Sequence, residues 1–214
     1  MTTTLHGYFR SSAAYRTRIA LNLKGIAYDQ RSYHLRKGEQ HGATFRKLNP
    51  AGLVPALEEN GQVLTQSLAI IEYLDETHPE PAFLPKEPLQ RARVRALALS
   101  IACDIHPINN TRVLGYLENK LGLDQAARDA WARNWIEIGF RALEEQLSTC
   151  KDAGRFCHGD RPGLADICLV PQAANAGRVN TNMAPYPTIV RIVAACLALP
   201  EFQKAQPQNQ PDAE

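Results

Sequence analysis

His78-Pro79-Glu80-Pro81-Ala82-Phe83-Leu84-Pro85-Lys86-Glu87-Pro88 divides the chain into two halves with different patterning. Four prolines fall within residues 79–88. Such a run cannot continue a helix or sit in a central strand, and its stiff extended form suits a linker. Before it, strand and helix signals alternate. Residues 5–9 read as a strand. Ser11-Ser12 can cap a helix that runs to Lys24 and stops at Gly25. Residues 28–35 look like a second strand, and residues 44–48 like a short helix. Residues 53–58 and 62–64 flank Asn60-Gly61, a hairpin signal. Residues 67–77 form a helix with Leu68, Ile71 and Leu74 on one stripe. The order βαβ, then αββα, predicts a small mixed sheet covered by helices.

After the prolines the strand signals nearly vanish. Val94, Leu97, Ile101, Ile105 and Ile108 recur in steps of three and four, the mark of a long amphipathic helix. Pro107 should bend it, because proline removes the bond to the carbonyl of Cys103. Further helical runs cover residues 124–147, 164–176 and 188–199. The tail, residues 206–214, is rich in Gln and Pro and is expected to be disordered.

Composition excludes several classes. The chain has 214 residues, 44% hydrophobic and 21% charged, which rules out wholesale disorder and collagen-like repeats. The formal charge is 24 − 22 = +2, so no nucleic-acid tract is indicated. No apolar run approaches the roughly 20 residues of a membrane span. The start, Met1 to His6, lacks an export signal, so a cytoplasmic protein is expected. The five cysteines include no CxxC pair, which disfavours zinc ribbons and dithiol chemistry; no metal site is expected. Cys103 and Cys168 fall in apolar helical runs and read as core thiols.

Three segments can carry chemistry. Tyr8-Phe9-Arg10-Ser11-Ser12 ends a strand and opens a helix, where free N–H groups and the helix dipole favour an anion. A hydroxyl there can cap the helix, or it can stabilise a thiolate. An ordinary thiol, with pKa near 8.5, is only a few per cent ionised at neutral pH. Lowering it by about two units takes roughly 2.7 kcal/mol, the scale of one charge-assisted hydrogen bond plus the dipole. Leu53-Val54-Pro55-Ala56-Leu57 implies a cis bond or an edge strand, whose open backbone can bind an extended peptide. Gln66-Ser67 stands at another helix start, fit for a cap or for a carboxylate.

Taken together, these segments resemble the zeta class of glutathione transferases. The resemblance rests on Ser11-Ser12 with Arg16, Arg18 and Lys24-Gly25; on Leu48-Asn49-Pro50 with Val54-Pro55; and on residues 66–74. It extends through Cys103-Asp104-Ile105-His106-Pro107-Ile108-Asn109-Asn110, through residues 163–172, through Pro185-Tyr186-Pro187 and through Gln210-Pro211-Asp212.

The resemblance implies an α/β plus all-α fold. A thioredoxin-like, glutathione-binding domain would occupy residues 1–83, a linker 84–88, an all-helical substrate domain 89–205 and the tail 206–214. It implies glutathione as cofactor, a small dicarboxylate substrate and a homodimer, with no nucleic-acid or membrane partner. The activity it implies is isomerisation of maleylacetoacetate to fumarylacetoacetate, in aromatic amino acid catabolism, by reversible thiolate addition to the conjugated double bond. Maleylpyruvate isomerisation and transfer to small haloacids are the alternatives. A non-catalytic binding protein is opposed by the intact Ser11-Ser12 and Gln66-Ser67.

By the same resemblance, Ser11 and Ser12 contact the glutathione sulfur. Val54 and Pro55 pair with its cysteinyl backbone, and Gln66 and Ser67 hold its γ-glutamyl carboxylate. His106, Asn109 and Asn110 lie near glutathione. Arg10, Arg112 and Arg178 bind substrate, since guanidinium groups pair two-pronged with carboxylates, and Arg10 also assists the chemistry. Arg112, three residues after Asn109, is expected on the same helix face. Arg178 is expected just after the helix that contains Asn175. Two departures stand out. Many members carry a cysteine where this chain has Ala13, so the sulfur must come from glutathione. Gly163 replaces the usual Thr or Ser before Ala165-Asp166, which on capping preference alone costs only a few tenths of a kcal/mol.

Overall fold

The computed structural model describes residues 3–214; Met1 and Thr2, part of the segment read for export signals, lie outside them. The chain forms two compact units, one comprising Met1–Ala82 with Ala198–Glu214 and the other Phe83–Leu197.

The first unit is built on a four-stranded sheet of order β2-β1-β3-β4. Its strands are β1 (Thr3–Gly7), β2 (Asp29–Ser32), β3 (Ala56–Glu59) and β4 (Gln62–Thr65). Helix α1 (Ser12–Leu23) crosses from β1 to its parallel neighbour β2, with Leu5 opposite Gln30. After the short α2 (Ala43–Leu48), β3 and β4 return antiparallel, with Leu5 opposite Leu57 and Leu57 opposite Leu64. Asn60 and Gly61 both have positive φ, 50° and 77°, as the two-residue hairpin requires. Helix α3 (Ser67–Thr77) has the bounds expected from its apolar stripe, and Ile70, Ile71 and Leu74 are fully buried with Leu5, Ile19 and Leu57.

Two strands are shorter than their patterning suggested. β2 is largely exposed at the sheet edge, and beyond it Tyr33 N–H still bonds the Gly7 carbonyl at 2.8 Å. β3 begins at Ala56, not Leu53, because Pro55 has no N–H to give and the Leu53 carbonyl accepts from Asn49 Nδ2 at 2.7 Å. The Val54–Pro55 bond is cis, and β3 is an interior strand, so the edge alternative falls away.

The second unit is helical: α4 (Pro88–Leu99), α5 (Thr111–Asn119), α6 (Gln125–Thr149), α7 (Leu164–Arg178) and α8 (Pro187–Leu197). Glu87 caps α4 through the Gln90 N–H, with Pro88 at the first helical position, where its missing donor is harmless. Helix α7 is buried almost all round, from Leu164 to Gln172, and packs against α4 and α8. The bend expected at Pro107 takes a different form. Residues Ser100–Ile105 widen into a π-helical turn, in which the His106 N–H reaches back to Ile101 O at 2.9 Å, and Pro107–Asn109 then tightens into a 3₁₀ turn. The widened turn leaves Cys103 exposed, whereas Cys168 is buried; the expectation of a core thiol fails for Cys103.

Gly163 begins α7 in a place where no side chain fits. A Cβ there would lie 2.7 Å from the Phe83 carbonyl oxygen, which accepts from Leu164 N–H at 3.0 Å. Asp166 supplies the return bond of a capping box: one oxygen accepts from Gly163 N–H and the other from Cys157 N–H, each at 2.9 Å.

The chain then returns to the first unit through α9 (Pro200–Ala205) and a 3₁₀ turn, Pro207–Asn209. This segment is ordered, contrary to the disorder expected for residues 206–214. Arg18, fully buried in α1, donates to Ala205 O at 3.0 Å; Asn22 Nδ2 donates to Glu201 O at 2.9 Å; Gln210 Nε2 donates to Lys204 O at 2.8 Å. The polar composition misled because the glutamines and asparagines of the tail satisfy backbone carbonyls in place of building an apolar core.

Candidate active site

The strand register of the first unit brings three of the expected segments to one end of the sheet. His6 pairs with Ala56, and Ala56 with Thr65. The exit from β1 toward Ser11, the approach to β3 through Val54-Pro55, and the exit from β4 into Gln66 therefore share that end.

At the first segment Ser11 is the N-cap of α1, its Oγ accepting from Ala14 N–H at 3.2 Å. Capping uses a lone pair and leaves the hydroxyl hydrogen to donate, so cap and thiolate donor are compatible roles. Ser11 is half-buried and Ser12 is buried, which makes Ser11 the hydroxyl closer to solvent. Arg10, half-buried, directly precedes it.

At the second segment Val54 is half-buried and Pro55 buried. Among the described residues, the N–H and C=O of Val54 pair with no other backbone group. A peptide laid alongside would satisfy them.

At the third segment Gln66 has φ 69° and ψ 114°, a conformation costly for any residue but glycine. Its side chain makes no cap bond, so the simple capping role is absent for Gln66, and the residue is exposed. The first N–H groups of α3 thus receive no cap from Gln66, and an anion would satisfy them. Ser67 is buried, and the Nη1 of Arg16 donates to its Oγ at 3.4 Å. Arg16 is itself buried in α1 and places a positive charge behind the start of α3. Its role escaped the sequence reading, although the clustering of Arg16 and Arg18 in an otherwise apolar helix was a signal. An anion at the opening of α1, an extended backbone beside Val54 and a carboxylate at the start of α3 are what these three segments are chemically able to hold.

The remaining expected residues belong to the second unit. His106 closes the π-helical turn. Asn109 Nδ2 donates to Ile105 O at 3.2 Å and to Ala132 O at 3.5 Å, tying the turn to α6. Asn110 caps α5, its Oδ1 accepting from Arg112 N–H at 3.1 Å. Asn109 therefore lies in the 3₁₀ turn ahead of α5, and Arg112 in α5; the shared helix face does not form. Arg112 is exposed. Arg178 is the last residue of α7, not beyond it, and its Nη1 donates to Asn175 Oδ1 at 2.9 Å. Trp131 and Trp135 stack edge to face at 5.8 Å, with Trp131 Nε1 bonded to Ile108 O, a packing role. A hollow of about 390 Å³ lined by Cys103, Asp104, Trp135 and Ile138 contains none of the expected site residues.

A family model described as the glutathione S-transferase N-terminal domain matches residues 1–76. The probable maleylacetoacetate isomerase of Vibrio cholerae is 53% identical over 215 residues, covering 100% of this chain and 99% of its own. Among solved structures, the holo structure of maleyl pyruvate isomerase, a bacterial zeta-class glutathione transferase, has a TM-score of 0.97 at 48% identity, covering 99% of this chain and 100% of its own. Maleylacetoacetate isomerase from Methylobacterium extorquens AM1, solved with bound malonate and glutathione, has a TM-score of 0.96 at 43% identity, covering 99% of each chain.

The sheet, the serine turn and the helical second unit are those of a glutathione transferase. Within that class, the chain belongs to the zeta-class family of maleylacetoacetate and maleylpyruvate isomerases.

Proposed function

We propose that this protein is a glutathione-dependent cis–trans isomerase acting on maleylacetoacetate, to give fumarylacetoacetate. The observation that carries the reading is the gathering of Ser11, Val54-Pro55 and Gln66-Ser67 at one end of the sheet, in a chain that matches such isomerases along its whole length. Maleylpyruvate is the close alternative substrate, favoured by the likeness to the holo structure of the maleylpyruvate enzyme.

Glutathione, when bound, supplies a thiolate that adds reversibly to the conjugated double bond and allows rotation about it. The chain's own residues do the rest. Ser11 donates its hydroxyl hydrogen at the opening of α1, where the helix dipole also favours negative charge. Ser12, buried beside it, is the second hydroxyl of the pair that contacts the sulfur. Val54 offers its backbone beside Pro55. Gln66 and Ser67, backed by Arg16, hold a carboxylate at the start of α3. Arg10, Arg112 and Arg178 grip the carboxylates of the diacid, and Arg10 also offsets the charge that develops beside its carbonyl. His106, Asn109 and Asn110 contribute to the glutathione side. Ala13 supplies no thiol, which fits an enzyme whose sulfur is borrowed. The protein works as a cytoplasmic homodimer in aromatic amino acid breakdown.

The test is turnover of both maleyl acids with and without glutathione. Turnover of maleylacetoacetate only when glutathione is present supports the reading. Arg178→Ala should weaken substrate use far more than glutathione binding; equal losses in both would contradict its role.

A further inference from the structure

We infer that Asp212, in the C-terminal segment, is a positioning residue that sets the serine turn, by fixing the peptide that leads into Arg10 and Ser11. The inference rests on the assignment of Ser11 to the glutathione sulfur. Strand β1 ends at Gly7, so the N–H of Phe9, a buried residue, has no sheet partner and needs an acceptor. Asp212 provides it: its Oδ2 accepts from Phe9 N–H at 3.0 Å, while its Oδ1 accepts from Gln30 Nε2 at 2.9 Å. The carboxylate is thereby oriented by β2 and spent on the turn.

The opposite side of the same residue is held by Arg18. Its Nη2 donates to Phe9 O at 3.0 Å and its Nη1 to Tyr8 O at 3.5 Å, while its Nε holds Ala205 O. Tyr8 O also accepts from Ser11 N–H at 3.0 Å. Both peptide planes flanking Phe9 are therefore bonded to a charged group, and Ser11 hangs from one of them. Rotation of the Tyr8–Phe9 peptide would move the Tyr8 carbonyl away from Ser11. The hydroxyl would then lose the orientation a thiolate needs. Glu214, Arg36, Arg10 and Asp212 itself all act electrostatically on the neighbouring Tyr8 phenol, so a charge effect must be told apart from a positioning effect.

The two effects have opposite signs. Removing a negative charge near the turn favours a thiolate and lowers the pKa of the bound thiol. Losing the hydroxyl's aim disfavours the thiolate and raises it. The experiment titrates the thiol of glutathione bound to the full-length protein by ultraviolet absorbance, for the wild type, Asp212→Ala and Asp212→Asn. Glutathione affinity and unfolding temperature are measured alongside.

Asp212→Ala is expected to raise the bound thiol's pKa by about one unit, leaving roughly tenfold less thiolate well below that pKa, with little change in glutathione affinity. Asp212→Asn retains an oxygen for Phe9 N–H and is expected to show no rise. A fall in both variants would mean that charge alone matters, and would overturn the proposal. Wild-type titration in both, with only a lower unfolding temperature, would show a role confined to holding the tail, and would overturn it equally. Should Asp212→Ala not fold, Gln30→Ala loosens the same carboxylate from its other partner. A raised thiol pKa there supports the proposal and an unchanged one overturns it. If the wild type itself fails to ionise bound glutathione, the sulfur assignment falls first, a result distinct from all of these.

Discussion

Replacing Gln66 with glycine is expected to stabilise the protein while weakening its hold on glutathione. Gln66 stands at φ 69° and ψ 114°, and its side chain makes no cap bond to α3. Backbone held in so sparsely populated a region costs about 1–3 kcal/mol. Glycine removes that cost but adds about 0.5–1 kcal/mol of chain entropy lost on folding. The net gain is about 0–2.5 kcal/mol, and each kcal/mol moves the melting temperature by about 2–4 °C at this size. The side chain, if it bonds the γ-glutamyl group, is worth about 1.5–3 kcal/mol, as hydrogen bonds to charged groups are. Its loss weakens glutathione binding by roughly 10- to 150-fold. Gln66→Ala is the control, since it loses the side chain but keeps the unfavourable φ. Thermal unfolding without ligand and calorimetric titration with glutathione read both quantities. The reasoning is refuted if the glycine variant melts below the alanine variant, or if it binds glutathione like the wild type.

Three further outcomes are expected. Gly163→Ser restores the family's capping residue, yet it should destabilise by about 1–3 kcal/mol in a thermal melt, because its Cβ has only 2.7 Å to the bonded Phe83 carbonyl; a rise in melting temperature would show that the cap outweighs the contact. Burial holds the Cys157 and Cys196 thiols above their ordinary pKa, so alkylation followed by peptide mapping should label exposed Cys103 first and leave these two unlabelled until denaturant is added. His6, buried between the Tyr33 hydroxyl and Glu58, has its pKa lowered from 6.5 chiefly by burial. The unfolded chain binds the proton first, so stability should be greatest above pH 6.5 and decline as pH falls from there to the folded value. Denaturant titrations of His6→Gln should lack that decline.

Much of the fold was legible wherever one local force acts alone. The prolines of residues 79–88 punctuate the chain whatever surrounds them, Asn60-Gly61 dictates its own turn, and the stripe of α3 set both helix ends. Legibility failed where distant partners decide. Ser100 to Ile105 reads as ordinary helix by periodicity, and only the accommodation of Pro107 turns it into a π-helical turn that exposes Cys103. The tail is polar because Asn209 and Gln210 close carbonyls a few residues upstream, while Asp212 accepts from Phe9 N–H and Gln30 Nε2, partners far away in the chain that no short window of sequence displays. At the site, residue types indicated Ser11, Val54-Pro55 and Gln66-Ser67, while the capping bond of Ser11, the backbone of Gln66 and the support of Ser67 by Arg16 required coordinates. Asn109 and Asn110 proved to have backbone partners, among them Ala132 O in α6, that their spacing did not announce.

The homecoming of Ala198–Glu214 imposes an order on biosynthesis. A ribosome makes the sheet early, then every helix of Phe83–Leu197, and only afterwards the stretch whose carboxylate grips Phe9. Until that stretch emerges, the nascent sheet unit lacks its last fastener, and the Phe9 N–H goes without the carboxylate that holds it in the finished chain.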